Sequence, residues 1–241
     1  MDFGKRGLAL LAIGFAFLIW LPLALAGLPL DTPDGFMHLG WSVGWVRQLQ
    51  AGWLWPTWNE LPWAGAGSYS FLIYPPLFRV LSGLPMLLGW PVDQAVSWAL
   101  LLIFLINSMG AAALASVWLP PGRWRLLLLV AASLNPYLWI NVYVRGAWPE
   151  ALAQALLWWV VLGMLGMERR RQWGVVLSSI ALAGVLLSNW NSALLVAIAW
   201  MLGGVLMVFR SIKITGSWLF VSFFVLALTS AFCCLLYTSP S

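Results

Sequence analysis

"FLIYPPLFRVLSGLPMLLGW", residues 71–90, is mostly apolar and by length alone could cross a bilayer. Its interior argues otherwise. Pro75 and Pro76 interrupt it, Pro85 follows, and Arg79 puts a full charge inside it. The basic loops decide its reading. "PPGRWR" (120–125), "ERRRQ" (168–172) and "RSIK" (210–213) each separate later apolar runs. Cytoplasmic loops collect Lys and Arg. If 71–90 spanned the membrane, every later loop would invert and all three basic loops would face outward. The segment therefore reads as an interfacial or re-entrant helix.

Composition sets the frame around it. The chain has 241 residues, 63% of them hydrophobic and only 8% charged. A soluble domain carries about 25% charged residues. The expected fold class is an all-α polytopic transmembrane helical bundle. Seven spans are expected, near 7–28, 94–119, 126–142, 150–167, 173–189, 191–209 and 216–233. Lys5 and Arg6 precede the first, so the N-terminus is expected in the cytoplasm. "ALAG" (24–27) resembles a signal cleavage site. The apolar run exceeds the roughly 7–15 residues of a signal h-region, so an uncleaved anchor is expected. Residues 29–93 then form one large external loop carrying two interfacial helices.

Charge follows this topology. Of the twelve Lys and Arg, only Arg47, Arg79 and Arg145 fall outside; Asp31, Asp34, Glu60, Asp93 and Glu150 join them. That shared side is the expected working face. The net charge of +5 does not point to nucleic acid, because the basic residues sit between apolar runs. Nineteen Trp fit aromatic belts at the membrane surfaces. The two cysteines, adjacent at 233 and 234, offer no disulfide framework and no metal-ligand spacing. "CLLYTSPS" (234–241) reads as a translated sequencing adapter. The expected layout is thus a truncated transmembrane domain over 1–233 and a scar over 234–241.

Two external stretches hold the candidate chemistry. In "LPLDTPDGFMHLGW" (28–41), Thr32 suits an N-cap, Pro33 the first helical position and Asp34 the first turn. Asp34, His38, Trp41 and Trp45 then share one helix face. A carboxylate beside a histidine at the edge of a low-dielectric region can accept a proton. The plainer reading makes Asp34 a helix-start residue and His38 a polar surface residue. In "NVYVRGAWPEALAQ" (141–154), Pro149 and Glu150 open a helix. Arg145 either pairs a lipid phosphate or snorkels to headgroups, with Tyr143 and Trp148 in the belt. Arg79 is a second phosphate candidate. Asn189 and Asn191 in "SNWN" (188–191) read mainly as a polar turn.

The Asp–His pair, "WPTW" (55–58), "GAGSYSFLIYPPLF" (65–78) and "YVRGAWPE" (143–150) together carry a resemblance. The chain resembles a bacterial family of polytopic membrane proteins labelled "6-pyruvoyl-tetrahydropterin synthase-related". Its architecture is similar to the C-type membrane glycosyltransferases (GT-C). No pterin site is expected, since the chain has one His and no zinc-binding cluster. The resemblance implies a polyprenyl-phosphate sugar donor and a catalytic acid residue in the first loop, Asp34 or Asp31. It adds Tyr74 of "YPPL" to His38, Arg79, Arg145 and Glu150 as substrate-binding candidates. Two residues separate the aspartates here, where adjacent acids or D-x-D are usual in that superfamily. No metal-ligand set is assigned; a divalent metal is the one cofactor left open. Membrane lipids and a lipid-linked sugar are the expected partners, and a bacterial cytoplasmic membrane the expected location. A non-catalytic lipid-handling or assembly protein is the alternative. A secondary transporter would want internal symmetry and paired broken helices near the bilayer midplane; the sequence shows neither, and its charges cluster at the surfaces.

Overall fold

The computed structural model describes residues 4–54, 56–62, 65–169 and 171–199. Among the described residues the α-helices follow one another as α1 (Lys5–Ala26), α2 (Gly35–Gln50), α3 (Ser70–Ile73), α4 (Leu77–Leu87), α5 (Val92–Trp118), α6 (Arg123–Ser133), α7 (Pro136–Trp139), α8 (Trp148–Glu168) and α9 (Gln172–Ser188). A π-helical segment, Ile140–Val144, continues α7, and a last short helix covers Trp190–Ala199. Among the described residues the only β-pairing is an isolated bridge between Asn59 and Ser68. The chain is a membrane-embedded helical protein. Among the described residues four helices are long and apolar enough to cross a bilayer: Lys5–Ala26, Val92–Trp118, Arg123–Val144 and Trp148–Gly166. The expected spans at 216–233 and most of 191–209, the "RSIK" loop, Cys233, Cys234 and the adapter-like 234–241 lie outside the described residues.

The segment 71–90 does not form a span. It folds as α3, a break at Tyr74–Pro76, and α4. The eleven residues of α4 reach about 16 Å at 1.5 Å each, half of the roughly 30 Å hydrocarbon core. One face of α4, Phe78, Arg79, Ser82, Gly83 and Met86, is buried. That face packs on α2. The Ser42 and Ser82 hydroxyls meet at 2.7 Å, and a Cβ on Gly83 would sit 2.7 Å from the Trp45 ring. Its other side leaves Leu84 51% exposed.

α5 is the central post, packed by α1, α4, α6 and α8. Its buried positions are rich in Ala, Ser and Gly, which let neighbouring backbones close in. Trp20 of α1 donates from Nε1 to the Ser97 carbonyl (2.9 Å) and hydroxyl (3.0 Å) of α5. α8 and α9 approach as closely: a Cβ on Gly163 would lie 2.7 Å from the Ser178 nitrogen.

The expected span 126–142 is broken into three pieces. Pro136 disfavours helical geometry in Asn135, whose ψ is 118°. The Asn135 side chain then caps α7 by accepting from the Tyr137 N–H at 3.0 Å. Pro136 also lacks the N–H that would bond the Ala132 carbonyl. Asn107 of α5 supplies it: its Nδ2 donates to the Ala132 carbonyl at 3.0 Å, and its Oδ1 accepts from Trp158 Nε1 at 2.8 Å. Ser108 and Ser133 pair beside it at 3.0 Å.

Candidate functional site

Two distant stretches meet where α2 begins. Thr32 caps the turn, as its sequence position suggests: its hydroxyl accepts from the Gly35 N–H (3.2 Å) and donates to the Pro29 carbonyl (2.9 Å). The helix itself starts at Gly35, two residues later than expected, so Pro33 and Asp34 belong to the turn. The Asp34 N–H is then free to leave its own helix, and it donates to the Arg145 carbonyl at 2.9 Å.

Around Arg145 the polar groups are densely paired. Its Nη1 donates to Glu150 Oε2 at 3.1 Å, an ion pair with both side chains largely buried, and to Asn141 Oδ1 at 2.8 Å. The Tyr137 hydroxyl donates to the other Glu150 oxygen. Tyr137, Asn141 and Arg145 stand four residues apart, so one face of the α7–π segment presents all three to the start of α8. The Asp34 carboxyl is half-buried beside this pair. Desolvation raises its pKa above the usual 3.8; the Arg145 charge pulls it back, and the Glu150 charge pushes it further up.

His38 is not a surface residue, which corrects the plainer sequence reading. It is 8% exposed, and its ring lies 5.1 Å from Trp41, 6.2 Å from Phe78 and 6.3 Å from Trp148, centroid to centroid. Burial drives its pKa down to about 3, so it is neutral at ordinary pH. The helix face that joins Asp34 to His38 turns inward, because α4 and Trp148 cover it. Trp148, expected in an interfacial belt, is fully buried instead and is the hub of this aromatic cluster. Its indole N–H donates to the Val142 carbonyl at 3.2 Å.

The other candidates take separate places. Asp31 is exposed, five residues past the end of α1. Tyr74 is 46% exposed and its ring lies 4.3 Å from Trp41, forming an open aromatic face near the α2–α4 seam. Arg79 turns toward α3. Its Nη2 donates to the Phe71 carbonyl at 2.6 Å and its guanidinium stacks 4.8 Å above the Phe71 ring. It is 6% exposed, its Nε has no hydrogen-bond partner, and no carboxylate pairs it among the described residues. Burial lowers its pKa to about 10, which still leaves it charged at neutral pH. Asn189 has a capping role: its Oδ1 accepts from the Ser192 N–H at 2.9 Å. No group of three or more His, Cys, Asp or Glu able to hold a metal occurs among the described residues.

Sequence reasoning missed Tyr137 and Asn141 as members of the site. The signal was available, because both recur at helical spacing before Arg145. It missed the buried role of Trp148, which belt statistics disguise. Comparison with protein-family models, curated proteins and solved structures finds no match to the chain.

Proposed function

We propose that the chain is a GT-C-like glycosyltransferase of a bacterial cytoplasmic membrane. It would transfer a sugar from a polyprenyl-phosphate donor to an envelope acceptor at the outer face. The topology that goes with this reading has seven spans, a cytoplasmic N-terminus and residues 29–93 outside. The observation that carries it is Asp34: a carboxyl of raised basicity, fixed through its own backbone to the Arg145–Glu150 pair. Raised basicity is what a proton acceptor needs. In the step proposed, an acceptor hydroxyl oxygen bonds to the anomeric carbon and its proton passes to Asp34. The bond from that carbon to the phosphate oxygen breaks, and polyprenyl phosphate leaves with the electron pair.

The two arginines divide the work. Arg145 is already neutralised by Glu150, so it orients the base rather than meeting the donor. Arg79 is buried without a carboxylate partner among the described residues, and a phosphate would complete it. The Trp41–Tyr74 face offers a surface for the sugar ring. The test is transfer of a tritiated hexose from its polyprenyl phosphate in proteoliposomes. Asp34→Asn is expected to abolish transfer with insertion unchanged; full activity removes Asp34 from the mechanism.

One observation favours the second reading, a non-catalytic lipid-handling or assembly protein. Arg145 and Glu150 satisfy each other, and two residues separate Asp31 from Asp34 in the chain, so there is no adjacent acidic pair. Binding of the lipid-linked hexose by the wild-type chain with no turnover would support that reading.

A further inference from the structure

The two halves of the site meet at a pair of glycines, Gly35 and Gly146. Gly146 adopts φ +71°, a conformation that L side chains rarely take. A Cβ there would overlap the Gly35 nitrogen and Thr32 Oγ1, and would lie 2.6 Å from the Gly35 Cα. Gly35 is constrained from the other side. A Cβ on it would overlap Thr32 Oγ1 and come within 3.2 Å of the Pro29 carbonyl and 3.3 Å of the Trp148 ring. Backbone therefore rests on backbone, and the Asp34 N–H to Arg145 carbonyl bond closes the same contact at 2.9 Å.

We infer that Gly35 and Gly146 are positioning residues: their backbone clasp holds the Asp34 carboxyl against the Arg145–Glu150 pair. The inference rests on the proposed reading of Asp34 as the base, but its first readout does not need turnover. The geometry sets the scale. Moving a Cβ from 2.6 Å to ordinary contact separates the two backbones by about 1 Å, and a misplacement of that size costs about 10²-fold in rate. The charged groups facing Asp34 are Arg145, from the π segment's end, and Glu150, from α8. His38, on its own helix, is buried and neutral, and Arg79 of α4 turns to Phe71. Opening the clasp thus withdraws Asp34 from one ion pair and returns it to solvent.

The experiment compares wild type, Gly146→Ala and Gly146→Asn in proteoliposomes. Asn tolerates positive φ but still carries a Cβ, so it separates backbone strain from overlap. Gly122→Ala is the control: Gly122 also has positive φ (117°), with open space around it. Carbon-13 NMR of aspartate-labelled protein follows the Asp34 titration, with the signal assigned by its loss in Asp34→Asn. Both Gly146 variants are expected to bring the Asp34 midpoint back toward 3.8, and Gly122→Ala is expected to leave it in place. Hexose transfer should fall about 10²-fold in kcat with KM nearly unchanged. An unchanged Asp34 midpoint in a folded Gly146 variant overturns the clasp. If neither Gly146 variant folds, Gly35→Ala, which needs no positive φ, decides in the same way. Absence of transfer by wild type alongside a shifted midpoint would instead count against the glycosyltransferase reading and leave the clasp standing.

Discussion

Asn107→Leu tests how the break in the third span is held. The substitution keeps the branched four-heavy-atom side-chain skeleton and puts a good helix former in α5. It strands two groups at once: the Ala132 carbonyl, 3.0 Å from Nδ2, and the Trp158 indole N–H, 2.8 Å from Oδ1. Asn107 is 1% exposed, so no water replaces it easily. Side-chain hydrogen bonds inside a bilayer average about 0.6 kcal/mol and reach about 1.7, which gives roughly 1–3 kcal/mol for two. Two groups left dry would cost about 2–6 kcal/mol. The overlap of these ranges, about 2–3 kcal/mol, is the expected loss. Steric trapping in bicelles, with tryptophan emission as the signal, measures it. A second substitution makes the argument sharper. Pro136→Ala restores an N–H to the Ala132 carbonyl, so in the Asn107→Leu background it should recover about half the loss. In the wild-type background it recovers nothing, because Asn107 already bonds that carbonyl. A loss below about 0.5 kcal/mol, or two substitutions that simply add, would falsify the assignment of Asn107 as the partner of the broken helix.

Two further outcomes follow from the buried ionisable groups. His38 has a folded pKa of about 3 against 6.5 unfolded, so below pH 6.5 the unfolded chain binds the extra proton. Stability is fully present above pH 6.5 and falls by about 1.4 kcal/mol per unit well below it, down to about pH 3. His38→Phe should flatten that part of the stability–pH curve, and a curve of unchanged slope would place the titration elsewhere. Arg79→Met should leave stability level or raise it, since a buried cation without a carboxylate partner gives way to an apolar chain of similar length. The same variant should lose binding of polyprenyl phosphate, read by native mass spectrometry. Retained binding would assign Arg79 to the α3–α4 packing alone.

The sequence alone located the helices, because their signal is local. Apolar runs of fixed length and the loops between them place α1, α5, α8 and α9 within about two residues of expectation. The basic loops, with Pro75, Pro76, Pro85 and Arg79 inside the segment, denied 71–90 a span, and Thr32 was legible as a cap. The break at Asn135–Pro136 went unread, because the apolar content around Pro136 makes 126–142 look like one continuous span. Tertiary structure alone decided which residues meet. His38 lies on a helix face whose fate depends on α4 and Trp148 covering it. Arg79 and Arg145 look equivalent in sequence, yet one is neutralised by Glu150 and the other turns to Phe71. The contact of Gly35 with Gly146 leaves no periodicity behind, since a glycine in sequence does not say which backbone will press against it. Burial, pKa and partner are properties of packing between segments distant in the chain, and that packing sets the chemistry available to Asp34.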